Sequence, residues 1–548
     1  MLHEMQLENL ILRGDLGARC GLLYARLEKK EYRPETILNM DQAGWPGDWE
    51  GRTILALVRL AQTTKKEPAY LHEIVKTVLA GRNAKGYLGN ILPDGEVDEQ
   101  QLSGHSWLLR GLIAYYEYTG DKTVYDAAVT IGKNLFLPAK EAYASYPAAP
   151  GSRDLGGEAA GHVAKVVGKW HISTDTGCAY IPLDGVSALY ALTKDEELGA
   201  LLRVMTEGFF ALDLKGLHVQ THATLTALRG ILRMYGVMQQ EEDLCRAENV
   251  FCTYLDYGMT ASYENYNWFG RPQWTEPCAV IDCFMVASGL YRYTEKPNYL
   301  HLMQRMLYNG MGAGQRTNGG FGCNTCTGAA DVEGSELIRE HCKEAYWCCS
   351  MRGGEGLSAT AQYAYFTSGS TVTIPYFTDS RVCLSVGDGK LVLTQHTAYP
   401  YQGKAEFCVE ENTVTGPVTL RCYLPYGASD IAVTGAAFQV QNGEEVSLEI
   451  TLTGETTAAA VSFTIPVNCE VPVGLCSRGN LWAVFYGNLM LSTEDVEGAA
   501  PLKVSEADMN AAVVSENGCV EVNGVCMHPL WDAEEKGLGV RRVLFEGK

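Results

Sequence analysis

Between about residue 17 and residue 366 one unit recurs: an apolar helix, a short polar turn opening near an aromatic or leucine residue, and a second amphipathic helix. The copies are ILALVRLAQTTKKEPAYLHEIV (54–75), LLRGLIAYYEYTGDKTVYDAAVTI (108–131), GVSALYALTKDEELGALLRVM (185–205), ALRGILRMYGVMQQEEDLCRAENV (227–250) and VASGLYRYTEKPNYLHLMQRM (286–306). Apolar residues return at three- and four-residue intervals, as at Leu108, Leu109, Leu112, Ile113 and Tyr116, so every helix carries one stripe to bury. Repeats of this kind mean stacked helical hairpins. The segments at 17–28 and 333–366 bring the count to about six pairs, which can close into an (α/α)6 barrel whose inner helices line a funnel. Long rim stretches rich in Gly, Trp and His, such as 41–52, favour that cavity over an open solenoid.

After about residue 368 the period changes to short alternating runs broken by turn residues: STVTIPYF, RVCLSVGDGKLVLTQH, GPVTLRCYLPYG, EEVSLEITLTG and AAAVSFTIPV. These read as antiparallel strands, with Gly-Asp-Gly at 387–389 as a hairpin turn. The expectation is therefore a barrel over 1–367 and a C-terminal β-sandwich, in one or more domains, over 368–548. A chain of 548 residues, 46% hydrophobic and 20% charged, can bury cores of that size.

The formal net charge of −21, with no Lys/Arg cluster to offset it locally, argues against nucleic acid and anionic lipid as partners. The opening residues have no basic stretch followed by an apolar one, and no window is long and uncharged enough for a bilayer, so a cytoplasmic location is expected. A sandwich edge or the C-terminal tail is the surface a homodimer would use.

Eighteen cysteines scattered through so large a chain read mainly as buried, reduced thiols packing as small hydrophobes. Those beside other ligand types stand apart. TEPC (275–278) and, about 70 residues later, YWCCSMRGGEG (346–356) together offer Glu276, Cys278, Cys348 and Cys349. Three thiolates and a carboxylate can complete a zinc tetrahedron. Adjacent cysteines reach one metal only across a sharp turn, which the glycines at 353, 354 and 356 could help to accommodate. The alternatives are core thiols with a solvated Glu276, or a rival site built on Cys323 and Cys326 with Cys342 and either His341 or the Cys pair. Glu264 lies in the aromatic loop SYENYNWFGRPQWTEPC, which would shield it from water and raise its pKa.

Three stretches taken together resemble the zinc-dependent β-L-arabinofuranosidases of glycoside hydrolase family 127 and their relatives in family 146. TEPCAVIDCFMVASGLYRYTEKPNYLHLMQRMLYNG (275–310) is similar to the family's Glu-x-Cys helix leading to a Leu-Tyr-Asn element, YWCCSMRGGEG to its Cys-Cys loop, and THATLTALRG (221–230) to its His-Ala-bearing helix. With VTLRCYLPYG and LWAVFYGNLMLS behind them, the likeness runs from about residue 17 to 500. It implies Zn2+ held by Glu276, Cys278, Cys348 and Cys349, with Cys348 as nucleophile and Glu264 as acid/base. The Glu264 loop is shorter than the family pattern, which leaves Glu355 and Glu50 in reserve for that role. His105 and His222 are the first expected contacts to a small oligosaccharide or glycoside, with Trp49, Glu50, Trp268 and Trp274 next. The activity implied is retaining exo-hydrolysis of a terminal β-L-arabinofuranoside. Its rivals are a sugar epimerase or lyase on the same toroid, and a non-catalytic carbohydrate-binding protein with structural zinc.

Overall fold

Amphipathic stripes become two concentric rings of helices. The computed structural model describes residues 2–37, 44–149, 163–330, 332–442, 446–472, 474–477, 480–495, 502–516, 518–532 and 539–548. Residues 41–43 of the expected rim stretch lie outside them. In chain order the toroid is built from α1 (Gly14–Leu27), α2 (Asp48–Thr64), α3 (Leu71–Ala80), α4 (Glu99–Thr119), α5 (Lys122–Ile131), α6 (Pro182–Thr193), α7 (Glu196–Phe210), α8 (Thr221–Met238), α9 (Glu241–Tyr257), α10 (Pro277–Thr294), α11 (Asn298–Arg305) and α12 (Cys349–Gln362).

The even-numbered helices form the inner ring, each packing on the next until α12 returns to α2. The odd-numbered helices back them from outside, and α1 completes the circle by packing on α12. This is the expected (α/α)6 barrel, its sixth pair supplied by helices from the two flanking segments. Close approach of the inner helices depends on missing side chains: a Cβ at Gly51 would sit 2.2 Å from the Leu108 amide nitrogen, and one at Gly230 would sit 2.3 Å from the Leu183 carbonyl. The turns repeat as well. Five inner helices end on a left-handed residue, Lys65, Gly120, Lys194, Gln239 or Glu295, whose N–H closes the last turn. Asp121 and Asp195 then cap α5 and α7.

Two six-stranded sheets follow. One has the order His3–Glu4, Phe366–Ser368, Thr371–Ile374, Val418–Leu424, Val446–Leu452, Ala437–Asn442. The other has the order Ser429–Thr434, Ala458–Thr464, Lys404–Asn412, Gly389–Thr397, Ser380–Val386, Leu10–Leu12. Alternate residues of both, among them Leu420, Ile450, Leu384 and Phe407, enter one hydrophobic core. Val386 pairs with Gly389 across the expected hairpin turn. Three details differ from the sequence reading. Thr371–Ile374 runs parallel to Val418–Leu424, because the chain visits the second sheet between them. The first dozen residues edge both sheets and so belong to the sandwich, not to the barrel. The last part of the chain forms a third sheet running through Leu481–Tyr486, Leu489–Glu494 and Val525–Pro529, which reaches back through Val540–Arg542 to pair with Leu337–Arg339 of the helical part.

Asn309, in the Leu-Tyr-Asn element, ties barrel to sheet: its Nδ2 donates to the Asn488 carbonyl (3.0 Å) and its Oδ1 accepts from the Met490 amide (2.7 Å). Among the described residues no helix is long and apolar enough to cross a membrane.

Candidate metal and active centre

The N-termini of the inner helices meet at one mouth of the toroid, around a cavity of about 440 Å³. Helix N-termini present unpaired N–H groups and the positive end of the helix dipole, so this is the mouth at which thiolates and carboxylates are stabilised. Glu276 is the N-cap of α10, Pro277 and Cys278 its first two residues; Cys348 is the N-cap of α12 and Cys349 its first residue. Because α10 and α12 are neighbours in the ring, two motifs far apart in sequence converge. Cys278 Sγ lies 3.6 Å and Cys348 Sγ 3.4 Å from Cys349 Sγ, and all three sulfurs fall within 4.8 Å of one another.

The sharp turn between the adjacent cysteines comes from the N-cap conformation of Cys348 (φ −152°, ψ −57°). The glycines at 353, 354 and 356 serve another purpose inside α12. A Cβ at Gly354 would strike Ala56 of α2, and one at Gly356 would strike Ile281 of α10.

Burial pushes the Cys278 thiol up and holds Cys349 at about 11. Cys348 is lowered by its hydrogen bond with Cys278, but that with Cys349 and burial outweigh it, and it too is raised. Arg52, with Nη1 3.8 Å from Cys278 Sγ, supplies positive charge from α2. Glu276 stands beside the sulfurs. Its Oε1 is 3.3 Å from His222 Nδ1, and one oxygen together with His222 and Cys278 forms a second group within 4.8 Å. Asn267, its amide oriented to satisfy both neighbours, donates to Glu276 Oε2 (2.6 Å) and accepts from Trp274 Nε1 (3.2 Å). Three thiols and a carboxylate, without an oxygen-rich shell, fit the zinc that the sequence resemblance implies.

His222, Trp49, Glu50 and Trp274 all border this cavity. His222 is stacked on Trp107 and lies 3.5 Å from Asp282 on its other side. Trp49 Nε1 is buried with no hydrogen-bond partner among the described residues. Trp274 stacks face to face on His341, which also borders the cavity.

Other expected residues lie elsewhere. His105 is fully buried, its Nε2 accepting from the Leu88 amide (2.9 Å) and its Nδ1 donating to the Gln101 carbonyl (2.8 Å). Burial lowers it to about 4, so it is a neutral packing residue that clamps the 81–98 segment. Trp268 is buried edge-on against Trp274. Glu264 lies in the wall behind Glu276, where Asn324, Ser262 and Thr275 donate to its oxygens over 2.9–3.0 Å. Burial raises it to about 7 against the pull of those donors. Glu355 belongs to a buried charge layer deeper in the toroid, accepting from Arg110 (3.0 Å) and Arg229 (2.6 Å). The rival C-x-x-C site is not assembled: Cys323 turns to Cys342 and Cys349, whereas Cys326 Sγ turns to the Asn265 carbonyl (3.6 Å).

Arg52, Ser103 and Asn267 border the cavity without having been singled out by the sequence. Ser103 Oγ is buried and, like Trp49 Nε1, has no partner among the described residues. Arg52 and Ser103 fall within the first turns of α2 and α4, so aligning the inner helices by their N-termini is the signal that finds them.

No family model and no curated protein matches the chain. Solved structures do. A GH127 β-arabinofuranosidase superposes with a TM-score of 0.71 at 12% identity, covering 100% of this chain and 98% of that one. A GH127 β-L-arabinofuranosidase from Geobacillus stearothermophilus T6 gives 0.69 at 13%, covering 98% and 100%. A protein described as a glycoside hydrolase gives 0.69 at 15%, covering 100% and 97%. From one end to the other, the chain has the fold of these proteins.

Proposed function

We propose that this protein is a zinc-dependent, retaining exo-glycosidase that releases terminal β-L-arabinofuranose, or a closely similar sugar, with Cys348 as nucleophile. The observation that carries the reading is the convergence of three thiols and Glu276 at the N-termini of two neighbouring inner helices, on a cavity bordered by Trp49 and Trp274. The end-to-end likeness to two GH127 β-arabinofuranosidases supports it.

Zn2+ bound by Glu276, Cys278, Cys348 and Cys349 would keep the cysteine sulfurs deprotonated at neutral pH. Arg52 offsets negative charge on Cys278. His222 and Asn267 fix the Glu276 carboxylate from both sides, so it need not reorganise. Trp49 Nε1 and Ser103 Oγ, buried without partners among the described residues, take sugar hydroxyls. Cys348 Sγ then attacks the anomeric carbon as the bond to the leaving oxygen breaks, and a carboxylic acid protonates that oxygen. Glu50 takes the role the sequence assigned to Glu264, because it borders the cavity and Glu264 does not. In the second step Glu50 removes a proton from water, whose oxygen displaces the sulfur and frees the sugar with its configuration retained. The eighteen cysteines are thiols and not disulfides, which suits a reducing compartment such as the cytoplasm and small imported glycosides as substrates.

The test is hydrolysis of an aryl β-L-arabinofuranoside by the protein and by Cys348→Ser. Turnover should fall by at least about 10⁴-fold in the variant. Normal turnover by a folded Cys348→Ser would remove the thiolate mechanism, and no hydrolysis by the zinc-loaded protein would favour an epimerase-like or lyase-like toroid.

A further inference from the structure

The third sheet carries a second cluster of ligand-type side chains that shares no residue with the toroid cavity. Strands Val520–Val522 and Val525–Pro529 pair in the register Val520↔Met527, Glu521↔Cys526, Val522↔Val525. The turn between them, Asn523 (φ 52°) and Gly524 (φ 77°), is the two-residue kind that fixes register most firmly. Successive side chains of a strand point to opposite faces. Val520, Val522 and Met527 are buried, so Cys519, Glu521, Cys526 and His528 share the other face.

On that face Cys519 Sγ is 2.8 Å from His528 Nδ1 and Cys526 Sγ is 3.7 Å from His528 Nε2. The three ligand atoms lie within 4.8 Å of one another. A zinc tetrahedron has edges of about 3.5–3.8 Å, given Zn–S near 2.3 Å and Zn–N near 2.0 Å, and one imidazole gives a metal one nitrogen, so the His528 ring must turn to bring a single nitrogen between the two sulfurs. Two thiolates and an imidazole form a soft to borderline donor set, which selects Zn2+ over Mg2+ or Ca2+. Glu521, directly opposite Cys526, or a water would fill the fourth position.

We propose that Cys519, Cys526 and His528 form a second, structural zinc site that clips the terminal hairpin. On binding, each thiol gives its proton to solvent and the resulting thiolate donates to the metal. The hairpin lies near one end of its sheet, with only the two-residue strand Val513–Val514 beyond it, so cross-strand pairing alone holds it weakly and a metal clip adds stability there.

The test is a Co2+ titration of the full-length protein after chelation, followed by its thiolate-to-cobalt charge-transfer absorption, beside Cys519→Ser/Cys526→Ser. The unsubstituted protein should bind one equivalent more than the double variant, and furanoside hydrolysis should be the same in both. Equal stoichiometry would overturn the second site. Should the double variant not fold, Cys526→Ser, at an exposed position, serves alone: its Co2+ affinity at this site should fall at least tenfold, and an unchanged titration would overturn the proposal. Both proteins keep the same toroid thiols. The difference between them therefore tests the hairpin site whether or not Cys278, Cys348 and Cys349 hold metal.

Discussion

The two mouths of the toroid enclose cavities of the same size, about 440 Å³ each, yet opposite chemistry. Where the inner helices begin, the lining holds Cys348, Cys349, Glu276 and Glu50 among aromatic rings. Where they end, it holds Arg59, Arg110, Arg229, Arg233 and Arg292, with Glu4, Glu117 and Glu355 between them. One ring of parallel dipoles accounts for both: N-termini favour anions and nucleophilic sulfur, and C-termini favour guanidinium groups. Between the mouths lies a buried charge layer. Asp282 accepts from Arg229 (2.7 Å), Thr226 (2.6 Å) and Arg352, and Asp184 accepts from Arg233 (2.7 Å). The arginines around Asp184 overcome its burial and hold its carboxyl well below the usual range. Among the described residues, the first mouth brings three thiols and two carboxylates together with aromatic rings, whereas the second is lined mainly by arginines and carboxylates.

That contrast can be broken by substitution on each side. Glu355→Ala leaves Arg110 and Arg229 without their shared carboxylate and should cost about 3–5 kcal/mol of stability, read as a large fall in denaturation midpoint. Turnover per folded molecule should change far less than for Cys348→Ser; a loss of similar size would mean that the charge layer takes part in the chemistry. At the other mouth Glu50→Gln should lower kcat by about 10²–10³-fold with little change in midpoint. If Glu264→Gln gives that loss and Glu50→Gln does not, proton transfer belongs to Glu264 after all.

Glu264 adds a pH dependence to the stability of the first mouth's wall. Its folded value, about 7, stands above the ordinary 4.5, so the folded state holds a proton that the unfolded state has released. Stability is therefore full below about 4.5, falls as pH rises towards 7, and levels off above. The total is on the order of 3 kcal/mol. Chemical denaturation across that window should show the slope in the protein and lose it in Glu264→Gln; an unchanged slope would assign it to other groups. The smallest effect expected is from Trp49→Phe, which would remove the proposed hydrogen bond to substrate and should raise KM by about two- to tenfold with kcat nearly intact.

The helical rings were legible because their stripes repeat, and the sandwich because its period is two. The strands His3–Glu4 and Leu10–Leu12 were not, since runs of two or three residues carry no period and their partners lie more than 350 residues away. At the site, residue type and spacing picked out the thiols but could not rank them: Cys326 and Cys349 look alike in sequence, and only the fold turns one to a carbonyl and sets the other beside Cys278. His105 was misjudged for a related reason. A histidine on an inner helix can face the funnel or the neighbouring loop, and the Leu88 amide decides it.

The proposed mechanism requires a covalent bond between Cys348 and the sugar. A 2-fluoro β-L-arabinofuranoside with a good leaving group slows the second step, so digestion and peptide mass analysis after a short incubation report where the sugar is held. One fluoroarabinosyl group is expected on the peptide carrying Cys348, absent from Cys348→Ser. The same group on Glu50 or Glu264, or complete turnover with no labelled peptide, would contradict it.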